Sequence, residues 1–176
     1  MTERLEFFFA ALALVVIVVT GVTRVAWALG HRFLQAVAPY RYRIAAAVAV
    51  TAMLGSLYFS EVANFEPCTL CWYQRIAMYS LAVILVVASF RHDDIRVYGV
   101  VLAGLGATIS GYHWLLERIP AVDAGVCSTT VPCEFIWFEK FGFVTLPFMA
   151  FAGFVAILNV LILPVDRPTD AQRSAR

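Results

Sequence analysis

The chain is poor in charge. Asp, Glu, Lys and Arg make up 14% of its 176 residues and nearly cancel, leaving a formal net charge of +1. That balance gives no electrostatic footing for a nucleic acid, so no nucleic-acid partner is expected. An ordinary soluble domain is excluded from the other side. With 62% hydrophobic residues and a mean hydropathy of +0.82, the chain has more apolar surface than an interior of this size can bury. The signatures of common hydrolases and nucleotide enzymes are missing too: there is no Gly-x-Ser-x-Gly, His-Glu-x-x-His, glycine-rich phosphate loop or carboxylate dyad. No internal repeat or low-complexity tract is evident.

What is present is a set of apolar runs, at roughly 5–29, 44–62, 71–90, 97–116 and 143–163. Each approaches the roughly 20 residues needed to cross a bilayer, and helices satisfy the backbone in lipid without outside partners. The expected fold class is an all-α integral membrane protein. The connections are short except for 117–142, and the tail after Pro164 is polar. Arg32, Arg41 and Arg43 lie between the first two runs, Arg91 and Arg96 between the third and fourth, and Arg167, Arg173 and Arg176 in the tail. By the positive-inside rule these segments are cytoplasmic. Residues 62–70 carry Glu66 and no Lys or Arg, and 117–142 carry Glu117, Asp123, Glu134 and Glu139 against Arg118 and Lys140. These segments are expected outside, with the N-terminus. A signal peptide fits the first run less well, because Glu3 and Glu6 dilute its start and cleavage near residue 37 puts the basic cluster outside. A helix lying flat in the interface leaves the remaining topology unchanged.

The chemistry concentrates in Pro67-Cys68-Thr69-Leu70-Cys71-Trp72-Tyr73-Gln74-Arg75. A Cys-x-x-Cys at the start of a helix sits in the positive field of unpaired N–H groups, which lowers thiol pKa values. Pro67 suits the opening of such a helix. Arg75 follows Cys71 by four residues and so lies on the same face, one turn deeper. An arginine at the bilayer centre costs about 2.5–3.5 kcal/mol and less towards the edge. A snorkelling anchor explains many boundary arginines. With a dithiol one turn away, a cationic donor also suits a quinone carbonyl or its reduced oxyanion.

A second pair, Cys127 and Cys133, lies in the long connection. Taken alone, it reads as a structural disulfide closing a small loop. Two dithiols on one membrane face also permit exchange between them. Phe135-Ile136-Trp137-Phe138-Glu139-Lys140-Phe141-Gly142-Phe143 reads either as an interfacial element or as the aromatic belt of the last span. His113, beside Tyr112 near the outer end of the fourth run, is a candidate for quinone contact or proton relay, or an interfacial histidine bonded to backbone. His31 and His92 carry no signal. A four-cysteine zinc site is disfavoured by the five residues between Cys127 and Cys133.

The first motif resembles the signature of the bacterial disulfide bond formation protein B (DsbB) family, especially its shorter BdbC-like branch. The likeness extends through Gly111-Tyr112-His113 and the Cys127…Pro132-Cys133 loop to Phe141-Gly142-Phe143-Val144-Thr145-Leu146-Pro147. It implies a four-helix transmembrane bundle over 44–165. Residues 1–43 are then an additional N-terminal transmembrane helix with a basic cytoplasmic loop, and 166–176 a cytoplasmic tail. The activity implied is oxidation of an extracytoplasmic thioredoxin-fold (DsbA-like) partner and reduction of a membrane quinone, ubiquinone or menaquinone, in the bacterial cytoplasmic membrane. Carried over by position, Cys68 and Cys71 are the quinone-linked pair, with Cys71 facing the quinone and Arg75 its bound cation. Cys127 and Cys133 are the partner-linked pair. Cys127 meets the partner, and Cys133 exchanges with Cys68. A relative of the vitamin K epoxide reductases and a non-catalytic membrane protein with two structural disulfides are the competing readings.

Overall fold

Each apolar run becomes a helix in the computed structural model, which describes residues 2–30, 37–91, 94–119, 121, 125–127 and 131–163. The helices are α1 (Thr2–Ala28), α2 (Arg41–Leu57), α3 (Thr69–Arg91), α4 (Arg96–Arg118) and α5 (Leu146–Ile162). A 3₁₀ turn, Ala38–Tyr40, leads into α2, and a π-helical turn, Tyr58–Val62, extends it. By length and composition four helices can cross a membrane: α1, α2 with its flanking turns, α3 and α4. The fifth is apolar but has 17 residues, about 25 Å at the α-helical rise. The expected run began at 143, but residues before 146 stay out of the helix because Lys140 and Val144 exchange backbone hydrogen bonds, each 2.9 Å. The expected polar tail, Arg32, His31, His92, Asp123 and residues 128–130 lie outside the described residues.

Helices α2 to α5 close into a bundle: α2 packs on α3, α3 on α4, α4 on α5, and α5 back on α2, while α1 packs along α5. Small residues set the spacing. Ala45, Ala46 and Ala49 of α2 are buried against Leu81, Leu85, Phe154 and Leu161. Without water to drive helices together, close approach through small residues supplies the packing energy. Gly106 is the tightest case, because the Phe154 ring occupies the place its Cβ would take. Gly106→Ala is expected to destabilise the bundle by about 1–3 kcal/mol through overpacking, read as a lower unfolding midpoint in detergent. Large apolar side chains such as Val18, Val22, Val83, Phe90 and Val97 remain exposed on the outside. Such a surface is stable in lipid and not in water.

Helix α1 lies lengthwise on the bundle. Glu6 near its start pairs with Lys140 at 3.2 Å. Near its other end Thr23 Oγ1 accepts from Asn159 Nδ2 at 2.8 Å. The N-terminal end of α1 therefore shares one end of the bundle with the cysteines.

Candidate active site

The chain enters α3 through Asn64, in the left-handed region at φ 58°, and a stretch without regular structure to Cys68. Cys68 stands immediately before the helix. Its carbonyl accepts from Trp72 N–H at 3.1 Å, and its Sγ accepts from Cys71 N–H at 3.4 Å. Cys68 thus caps α3 with its own sulfur, in the positive field of the helix start. The Sγ atoms of Cys68 and Cys71 lie 2.9 Å apart, and both are free. The Cys68 thiol is held far below the ordinary range. The hydrogen bond from Cys71 is the main cause, burial opposes it, and His113 and the Cys71 N–H assist.

This lowered value makes a pH prediction. A depressed folded-state pKa adds stability that is fully present above the unfolded value of ~8.5 and is lost as pH falls through the folded value. With the helix pair reduced, one thiol equivalent should therefore absorb as thiolate at neutral pH and protonate only well below it. Cys71→Ala, made with Cys127→Ala and Cys133→Ala so that no other sulfur can capture Cys68, removes the main cause and should move that titration back up. A single-step titration near the free-cysteine value in the unsubstituted protein would contradict the capping geometry.

The second pair comes to the same place. Cys127 and Cys133 are joined as a disulfide, with Cys133 buried and Cys127 half-buried. Cys133 Sγ, Cys68 Sγ and a ring nitrogen of His113 all lie within 4.8 Å of one another. His113 Nε2 lies 3.0 Å from the Cys133 carbonyl and 3.7 Å from Cys68 Sγ. A carbonyl only accepts, so Nε2 carries the proton, and Nδ1 accepts from Gln74 Nε2 at 2.8 Å. His113 is thus fixed between the two pairs. It borders a void of about 20 Å³ shared with Cys68, Cys71 and Glu117. Glu117 in turn accepts from Thr145 Oγ1 at 2.5 Å.

On the other side of Cys71 opens a larger cavity of about 340 Å³, between α1, α2, α3 and α5. Arg75 lines it without a carboxylate partner among the described residues. Its Nε donates to Ser56 Oγ at 3.0 Å, and a terminal nitrogen donates to the Ser56 carbonyl at 3.2 Å. The Trp72 ring lies 5.3 Å from its guanidinium carbon. Aromatic side chains frame the cysteine end: Phe59 stacks on Phe65, and Phe65 stacks on Trp137 with centroids 4.8 Å apart. The 135–143 segment therefore divides its residues. Phe138 is buried against Phe65, whereas Trp137, though it stacks on Phe65, remains exposed with Phe135, Phe141 and Phe143.

The structure brings Cys68, Cys71, Cys133 and His113 together and sets Arg75 on the cavity beside Cys71. His113 borders the small void beside Cys68 and Cys71 and is not among the residues lining the cavity that holds Arg75. Sequence reasoning overlooked Gln74, Ser56 and Glu117. Gln74 offered a signal, since it follows Cys71 by three residues and shares its helix face. Ser56 and Glu117 offered none, because only packing sets them against Arg75 and the cysteines.

Among the described residues, two cysteine pairs meet at one end of an apolar helical bundle. Residues 40–164 match the family model described as disulfide bond formation protein DsbB. The probable disulfide formation protein C of Halalkalibacterium halodurans is 47% identical over 117 residues, covering 65% of this chain and 85% of that protein. The disulfide bond formation protein C of Bacillus subtilis (strain 168) is 45% identical over 119 residues, covering 66% and 86%. No solved structure matches the chain. A family model covering most of the chain, together with these relatives, shows that the chain belongs to the DsbB family and is a multi-pass membrane protein of disulfide bond formation.

Proposed function

We propose that the protein is a protein-disulfide:quinone oxidoreductase, which reoxidises an extracytoplasmic thioredoxin-fold (DsbA-like) donor and passes its electrons to a membrane quinone. The observation that carries this reading is the placement of Cys71. It belongs to a dithiol whose other sulfur lies within 4.8 Å of Cys133, and it lines the cavity that holds Arg75. Both pairs then face the outside of the bacterial cytoplasmic membrane, as the distribution of arginines favours.

The donor's thiolate attacks Cys127, the more exposed sulfur of the loop disulfide, and Cys133 leaves as thiolate. The donor's second thiol resolves this mixed disulfide, so the donor departs oxidised and the loop pair is left reduced. Cys133 next attacks Cys68 of the Cys68–Cys71 disulfide, and Cys71 leaves. Cys68 suits the position under attack, because a thiol held well below the ordinary range is readily displaced when Cys127 resolves the bond. That resolution leaves the loop pair bonded and the helix pair as two thiols, the arrangement seen here.

A quinone supplies a two-electron, two-proton sink, becoming the hydroquinone as the Cys68–Cys71 disulfide forms again. The cavity residues fit such an acceptor. Arg75 offers a cationic donor to its ring oxygen, and the surrounding walls are apolar and aromatic. His113, held by Gln74 and close to Cys68, is placed to relay a proton between the pairs. Of the three roles expected for it, the backbone bond is present at the Cys133 carbonyl, and its absence from the cavity lining favours the relay over quinone contact as its part in the reaction.

The test is stoichiometry. Purified protein in detergent receives a reduced thioredoxin-fold donor and either ubiquinone or menaquinone. The expected result is one hydroquinone formed for each donor disulfide. Donor oxidation without quinone loss, or no turnover with either quinone and several donors, counts against the proposal and favours structural disulfides.

A further inference from the structure

One wall of the acceptor cavity comes from a helix outside the family match. The match covers residues 40–164, yet Phe9, Leu12, Ala13 and Val16 of α1 line the cavity that holds Cys71 and Arg75. These positions follow i, i+3, i+4, i+7 and form one helical face. That face is fixed at both ends. Near its start, Glu6 pairs with Lys140 at 3.2 Å and the Phe7 ring lies 5.4 Å from Phe141. Near its finish, Thr23 accepts from Asn159 at 2.8 Å. Between these points the Phe9 ring rests on Gly55, where a Cβ would come within 3.0 Å of it, and meets Phe59 edge-on. A helix that only anchored the chain in lipid would need none of these contacts.

The cavity is polar at one end and apolar at the other. Its reactive end carries Cys71 and Arg75, at the start of α3. From Phe9 to Val16 the α1 wall descends about 10 Å at the helical rise. The far end is lined by Val16 of α1 and by Ala47 and Val48 of α2. A planar acceptor head suits the first end, and the second offers only hydrocarbon contact.

Resting on the quinone reading above, we propose that α1 is part of the acceptor site. The seam between α1 and α2 receives the acceptor's prenyl tail, and Leu12 and Val16 are specificity-determining for tailed, lipid-soluble quinones over tail-less ones.

The experiment compares one quinone ring with a long prenyl tail and with none, using the full-length protein and two variants. Val16→Phe fills the far end, and Leu12→Ala strips its wall. Each is expected to raise KM for the tailed acceptor about tenfold while leaving KM for the tail-less acceptor nearly unchanged. Electron transfer from the loop pair to the helix pair, followed by stopped flow without acceptor, should keep its rate in both variants and so report an intact fold. Using two variants guards against one failing to fold. If both change the two KM values alike, or neither value moves, the inference is overturned and α1 is an anchor, its seam filled by bilayer acyl chains. Absence of quinone turnover in the unsubstituted protein overturns the quinone reading itself. Normal turnover with a tail-independent KM in the variants overturns this inference alone.

Discussion

Cys71→Ser is expected to abolish quinone reduction, with turnover falling at least about 10³-fold, as when an attacking nucleophile is removed. The loss should leave a covalent trace. Cys68 then has no partner in its own pair, but the buried Cys133 lies within 4.8 Å of it. Attack of the Cys68 thiolate on Cys133 breaks the loop disulfide, forms a Cys68–Cys133 bond and frees Cys127. Non-reducing peptide mapping should find the 68–133 link, and Cys127 should become the alkylatable thiol. Cys68→Ser should lose turnover equally but show no such link. A 68–127 link in place of 68–133 would reverse the roles assigned to the loop cysteines. Continued quinone turnover by Cys71→Ser would remove Cys71 from the electron path.

Arg75→Leu should act on the other half of the reaction. The guanidinium is held by Ser56 and stands on the cavity wall without a carboxylate partner among the described residues. In a low-dielectric site, a preorganised donor aimed at developing negative charge is worth roughly 10²–10³ in rate. The expected result is a fall of about that size in kcat/KM for quinone. Exchange between the two cysteine pairs should be unchanged, because Arg75 is bonded to Ser56 and is not part of the Cys68, His113 and Cys133 cluster where the pairs meet. Stopped-flow measurement of the two half-reactions separates these effects. Equal slowing of both would mean that Arg75 supports the fold of the site rather than the acceptor. Arg75→Lys should recover only part of the loss, since an ammonium keeps the charge but not the planar fork that reaches both the Oγ and the carbonyl of Ser56.

Much of the protein was legible in one dimension. Lipid leaves the backbone few options, so runs of apolar residues specify helices, and each helix lies within a few residues of its run. The spacing of Cys68, Cys71 and Arg75 is likewise local. A helical pitch carries the dithiol at the start of α3 to the cation one turn along it without help from the rest of the chain. Residues 143–145 were misjudged by three positions, because their composition is apolar while a backbone pairing with Lys140 holds them out of α5.

What only the tertiary structure decided depends on contacts distant in sequence. Cys133 meets Cys68, and Cys127 does not bury to the same degree, because the long connection folds onto the starts of α3 and α5. His113 belongs between the cysteine pairs because Gln74, 39 residues before it, and the Cys133 carbonyl, 20 residues after it, take its two ring nitrogens. Apolar periodicity could show that α1 is a helix, but not which face meets a neighbour. In a helix hydrophobic on all sides, lipid and protein are nearly equivalent solvents for each side chain. Shape broke that equivalence, through the bare Cα of Gly55 under Phe9 and the hydrogen bond from Asn159 to Thr23, and it made an apolar helix one wall of the cavity.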